Sequence, residues 1–212
     1  MSRPIPPPRQ TTDVRQASLI NAALLLAAQR NPADITTGDL AEAVGITQGA
    51  VFRHFSSKEA IWLAVLGWVS DNLMQQLNSA ATAPNGDSGG VNPLTALQQV
   101  FIAHVDFVVA NPGVPRIVFQ ELQHAQETAL KLAVRALMQK HRALVTGLLQ
   151  SAIAQKLLPP DTDLPSAAVL FLGAVQGLVM QSLLSGQVQA LAAQAPGVFA
   201  IYLRGITLKE TP

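Results

Sequence analysis

Apolar residues recur three and four positions apart along nearly all of the chain, which is the period of an α-helix, and no stretch alternates as a half-buried strand would. The pattern predicts an all-α protein of about nine helices. Polar and helix-breaking residues punctuate it. A first helix is expected from about Asp13 to Arg30, ending at Asn31-Pro32 with Asn31 as a left-handed cap. A second follows Thr36, whose spacing to Asp39 resembles a capping box, and stops at Gly45. A third follows Thr47 and ends near Phe55, and Ser56-Ser57-Lys58-Glu59 reads as a capping box opening a long fourth helix that fades near Ala80. Residues 81–93, rich in Ala, Gly, Asn, Asp and Pro, read as a loop between a small front unit and a larger back unit. Further breaks are expected at Asn111-Pro112-Gly113, from Leu158 to Pro165, and at Ala195-Pro196-Gly197.

With 212 residues, either one large helical body or a small domain joined to a larger one is open. The absence of cysteine excludes disulfides, thiolate metal sites and a cysteine nucleophile, and it fits a cytoplasmic protein. Met1 to Thr12, rich in proline with Arg3 and Arg9, has no apolar core of a secretory signal and reads as a disordered arm. A net charge of +1 is too mild to announce a nucleic-acid binder: residues 1–58 carry six Lys/Arg against four Asp/Glu, and the rest eight against nine. More telling is the stretch from Leu164 to Leu203, which holds no charged residue and needs covering. A membrane helix over Ala167–Leu184 is long enough to span, but it contains Gln176, Gln181 and Ser182 and lacks flanking cations, so a subunit seam is preferred and no membrane is expected.

The chemistry concentrates in Thr36 to Lys58, where a short helix, a break at Gly45 and a second short helix succeed one another at helix-turn-helix spacing. Leu40, Ala41 and Val44 supply the inward face of the first helix, and Val51 with Phe55 that of the second. Gln48, Gly49, Phe52 and Arg53 are left facing outward. Gln bonds adenine in two places, Arg does the same to guanine or pairs with phosphate, and Gly lets backbone approach base edges. Two capped helices joined tightly also occur in plain bundles, so spacing alone leaves a helical hairpin open.

Ala22-Ala23, Ile35-Thr36-Thr37, Asp39-Leu40-Ala41, Val44-Gly45-Ile46-Thr47-Gln48-Gly49, Val51-Phe52-Arg53-His54-Phe55 and Ser57-Lys58-Glu59-Ala60 together resemble the TetR family of regulators, in order and with the right turn spacing. After the disordered arm (1–12) read from composition, the resemblance implies a three-helix DNA-binding domain (13–58) and a helical ligand-binding and dimerisation domain (59–212). It implies that Gln48, Gly49, Ala50, Phe52 and Arg53 face the groove, while Thr37, Thr47, His54 and Lys58 hold the phosphate backbone, Lys58 aided by the positive end of its own helix. Thr36, Thr47 and Ser56 also serve as helix caps. Phe52 stands where the family commonly has Tyr, and Asn31 where it usually has Gly.

The implied function is a homodimeric regulator of double-stranded operator DNA, commonly a repressor, in which a small effector among helices 4 to 7 shifts helix 4 and spreads the reading heads. The alternative is an effector-free architectural or cell-division factor of the same fold. In the back unit, Phe101, His104, Phe107, Phe119, Met138, His141, Gln176 and Met180 make up an apolar pocket with a few polar groups, or simply core. That composition suits an apolar or aromatic effector. His104, His124 and His141 lack ligand spacing, so no metal is expected and no cofactor is implied; no catalytic motif occurs, so no enzyme is expected. The seam is expected on Ser166–Leu184, through Val169, Leu172, Gly173, Gln176, Gly177 and Met180, and on about Pro196 to Leu208.

Overall fold

The computed structural model describes residues 11–84 and 91–207, so residues 1–10 of the arm expected over 1–12, residues 85–90 of the loop expected over 81–93 and Leu208 at the end of the expected seam lie outside the described residues, while Thr12 already belongs to the first helix. Among the described residues there are nine α-helices: α1 Thr12–Gln29, α2 Thr37–Ala43, α3 Gln48–Val51, α4 Lys58–Thr82, α5 Pro93–Ala110, α6 Gly113–Gln123, α7 Ala129–Ala154, α8 Leu164–Ser185 and α9 Ala190–Ile206. A short 3₁₀ turn, Pro32–Asp34, joins α1 to α2.

Local chemistry explains most boundaries. Thr36 accepts from the Asp39 amide while Asp39 accepts from the Thr36 amide at 2.6 Å, completing the reciprocal box at the head of α2. The other end of α2 closes with a Schellman motif. Ile46 N–H donates to Ala41 at 2.9 Å and Gly45 N–H to Glu42 at 3.0 Å, with Gly45 at φ 68°, a conformation glycine adopts without a Cβ penalty. α7 ends the same way with Lys156, at φ 60°, in the position glycine usually fills. Asn92, Thr128 and Asp163 cap α5, α7 and α8 with their side-chain oxygens.

Four expectations are corrected. Asn31 is not a left-handed cap: it is extended (φ −60°, ψ 127°), as a residue preceding proline prefers, and its side chain instead accepts from Ala33 N–H at 3.1 Å. The cap of α4 is Ser57, not Ser56, so its third position is Ala60 and Glu59 has no reciprocal role. α3 is regular only over Gln48–Val51, and a tighter turn carries the chain on to Phe55. Pro196 does not break the chain but sits inside α9. It lies on an exposed face, and Ala192, whose carbonyl loses its donor, is exposed as well. The break falls at Gly186, left-handed at φ 71°.

α1, α2 and α3 form a head, and α4 runs from it into the body. A continuous buried cluster from Leu19 and Leu40 through Ile61 and Val69 to Phe171 and Phe199 joins the two. α5 is enclosed by α4, α7, α8 and α9, which accounts for its apolar character. α5 and α8 are both long and apolar enough to cross a membrane by length and composition. Aromatic rings of Phe101, Phe171, Phe199 and Tyr202 meet edge-on or tilted at 5.3–6.4 Å where α5, α8 and α9 converge. At the opposite join, α6 lies against α1 so closely that a Cβ on Gly113 would sit 2.3 Å from the Leu24 carbonyl oxygen.

Candidate nucleic-acid interface and regulatory cavity

The head carries its outward residues on the turn that begins at Thr47. Thr47 caps α3 by accepting from Ala50 N–H at 3.2 Å. Val51 and Phe55 are buried and fix the orientation of the turn, leaving Thr47, Gln48, Gly49, Phe52 and Arg53 exposed, with Ala50 and His54 half-buried. Gln48 Nε2 donates to Thr37 Oγ1 at 2.8 Å, tying the start of α3 to the start of α2. Its carbonyl oxygen and second amide hydrogen stay available, so the bond orients Gln48 without consuming it. Thr37 itself is buried, 8% exposed.

Most cations of the head are spoken for. Arg30 pairs with Asp39 at 2.9 Å, and the Thr36 hydrogen bonds together with that guanidinium hold the Asp39 carboxyl down to about 2. Arg15 donates to the Val44 carbonyl, and Lys58, at the first position of α4, donates to the Ala33 carbonyl at 3.0 Å. Among the described residues of the head, Arg53 is the guanidinium left without a protein partner, and it is exposed beside Phe52, itself 48% exposed. His54 is held through its backbone, where Gln16 Nε2 donates to the carbonyl at 2.9 Å, and its Nδ1 is buried without a partner. A short turn presenting amide, apolar and guanidinium groups can read base edges and hold phosphates.

The body contains a cavity of about 100 Å³ walled by α4, α5, α6, α7 and α8. Of the eight residues expected there, His104, Phe107, Phe119, Met138 and Gln176 line it. Phe101 is fully buried behind the wall against Phe171, His141 is fully buried behind His104, and Met180 is 42% exposed on the outer face of α8. Sequence reasoning missed Val69 and Leu73 of α4, and Leu172, Val175 and Val179 of α8, because an apolar helical stripe does not say which of its members face a void. Only His104 and Gln176 are polar in the lining. His104 and His141 stand with ring centroids 4.7 Å apart at 65°, and His104 Nδ1 and both nitrogens of His141 have no hydrogen-bond partner. Burial lowers both, to about 3 for His104, where the neighbouring His141 adds to it, and to about 4 for His141.

The outer faces of α8 and α9 leave an apolar surface open. Val169, Leu170, Met180 and Leu184 on α8 and Ile201 on α9 are 42–75% exposed, with Gly173 and Gly177 exposed between them. Leu172, expected on this seam, instead turns inward to the cavity.

A helix-turn-helix head on a helical body that holds an apolar cavity, open to the surface at Leu122 and Gln176, is the architecture of a DNA-binding transcriptional regulator. Residues 19–65 match the family model for bacterial regulatory proteins of the tetR family, and residues 92–196 match that for the tetracyclin repressor-like C-terminal domain. The chain belongs to the TetR family of transcriptional regulators. It is 25% identical over 209 residues to the HTH-type transcriptional regulator AcrR of Shigella flexneri, covering 96% of this chain and 94% of that protein. It is 27% identical over 128 residues to the nucleoid occlusion factor SlmA of Haemophilus ducreyi, covering 60% of each. Among solved structures, the fatty acid degradation regulator FadR from Bacillus halodurans superposes with a TM-score of 0.79 at 16% identity, over 93% of this chain and 98% of that one. The regulator FadR from Bacillus subtilis, in complex with stearoyl-CoA, gives 0.76 at 16% identity, over 90% and 98%. At these identities the likeness is one of fold.

Proposed function

We propose that this regulator is a cytoplasmic homodimeric repressor, released from a pseudo-palindromic operator when a small, mainly apolar molecule occupies the body cavity. The observation that carries the reading is the course of α4. The helix begins at Lys58 beneath the head, and Val69 and Leu73 of the same helix wall the cavity. Eleven residues along a rigid helix is about 16 Å, so a ligand pressing on Val69 acts directly on the lever that carries the head. A molecule favouring the non-fitting state about 100-fold supplies roughly 2.7 kcal/mol of bias, enough to release an operator held with a modest margin.

In this reading residues 13–58 form the DNA-binding unit and 59–212 the regulatory unit. Gln48, Gly49, Ala50, Phe52 and Arg53 meet the bases, and Thr47, His54 and Lys58 steady the phosphates together with Thr37, whose side chain is buried and which serves through its backbone amide at the head of α2. Arg53 is the strongest of these assignments, being exposed and unpaired. The open faces of α8 and α9 pack on a second copy, since a charge-free stripe with Gly173 and Gly177 admits close helix approach. Genome-wide mapping of bound sites, followed by footprinting of the strongest, is the test. Two half-sites about one turn, roughly 10 bp, or a near-integral number of turns apart support the reading. Many scattered sites whose occupancy ignores every small molecule favour the architectural alternative.

A further inference from the structure

The cavity is chemically lopsided. Its wall is almost wholly aliphatic and aromatic, no charged side chain reaches it, and its polar groups are the His104 imidazole and the Gln176 amide. Behind His104 lies His141, fully buried, and His104 Nδ1 and both nitrogens of His141 are shut inside the protein without a hydrogen-bond partner, which leaves His104 Nε2 as the nitrogen open to the cavity. That Nε2 is the nitrogen that can serve the cavity, and a hydrogen-bonding group on a bound molecule is the partner within its reach.

We infer that the effector is an uncharged single-ring molecule carrying a hydrogen-bonding group, of the phenol, alcohol or ketone type, with that group set against His104. The inference rests on the effector reading above and names the ligand class for the same site. A neutral imidazole offers one donor and one acceptor, and a hydroxyl answers either. A carboxylate requires a cation, and no lysine or arginine stands in the lining. An ammonium group meets no anion, since Glu121, the buried carboxylate of α6, lies outside the lining beside Thr128 and His124. Size points the same way: a cavity near 150 Å³ accepts benzene, so one of about 100 Å³ takes a single ring once the adaptable Met138 at its wall gives way. A long acyl chain would need the cavity to grow several-fold.

The test uses the full chain and four molecules of one shape: p-cresol, toluene, p-toluate and p-methylbenzylamine. Trp68 reports binding by fluorescence, because its ring lies 6.4 Å from that of Phe107 in the cavity wall. p-Cresol binds at least about tenfold more tightly than toluene, and the two ions more weakly than toluene, because they leave a charge unpaired. His104→Leu keeps toluene binding and loses the preference for p-cresol, whereas His104→Gln, with a donor and an acceptor, regains part of it. Without any substitution, the His104 ring-nitrogen resonances move with p-cresol and stay with toluene. Equal binding of p-toluate or the amine, or a p-cresol preference that survives His104→Leu, overturns the inference. If all four fail while stearoyl-CoA binds and releases operator, the ligand class falls and the effector reading stands. If no small molecule of any class binds or releases operator, both fall.

Discussion

Gly113→Ala tests whether head and body are packed together as tightly as the backbone indicates. Gly113 is the first residue of α6, and a Cβ there would lie 2.3 Å from the Leu24 carbonyl oxygen and 2.9 Å from the Ala28 amide nitrogen, both main-chain atoms of α1. Neither can rotate away as a side chain would, so α1 and α6 must part by about 1 Å to restore van der Waals contact. Forced overpacking of this kind costs about 1–3 kcal/mol. For a chain of this size each kcal/mol moves the midpoint by about 2–4 °C, so a fall of roughly 2–12 °C is expected in calorimetry. Gly67→Ala and Gly147→Ala are the controls, because both glycines are exposed within helices and a Cβ meets nothing within 4 Å. There the gain in helix propensity of about 0.5–1 kcal/mol should raise the midpoint. If Gly113→Ala melts with or above the controls, α1 and α6 are not in the contact described, and the route from α6 to the head is wrong.

Four further outcomes are expected. Lys58→Ala should weaken all DNA about equally and flatten the salt dependence, whereas Gln48→Ala should relax preference at one base pair per half-site by about 1–3 kcal/mol; unchanged site selection would remove Gln48 as a reader. Gly173→Glu puts a like-charge pair in the proposed seam, so analytical ultracentrifugation should find monomers, and an intact dimer with unchanged operator affinity refutes the seam. Lys156→Gly relieves a left-handed residue and should add about 1 kcal/mol of stability, read from urea titration. Acid should weaken the fold through His104 and His141: their folded values lie below the unfolded 6.5, so the unfolded chain binds protons first and stability falls as pH drops from about 6.5 toward 4. His141→Phe should flatten that slope in pH-dependent melts.

Much of this molecule is written locally. Thr36 with Asp39, Gly45 and Thr47 act over three or four residues, and so the helix-turn-helix and its outward set Gln48, Phe52 and Arg53 are legible from sequence, since short-range hydrogen bonds and helical period suffice to place them. Local rules misled where two signals competed. Ser56 and Ser57 are both good caps, and the structure has Ser57 in that place; Pro196 reads as a break, yet it sits on an exposed face of α9, where a missing backbone bond costs least. The cavity was half visible. His104, Phe107, Phe119, Met138 and Gln176 line it, but Phe101 and His141 lie behind the wall and Leu172 faces inward rather than toward a partner, because facing a void and facing a neighbouring side chain impose the same apolar requirement on a sequence. The pairing of His104 with His141, 37 positions apart on α5 and α7, and the closure of Gly113 upon α1 belong to tertiary structure alone, for each depends on how two helices cross rather than on what either one contains.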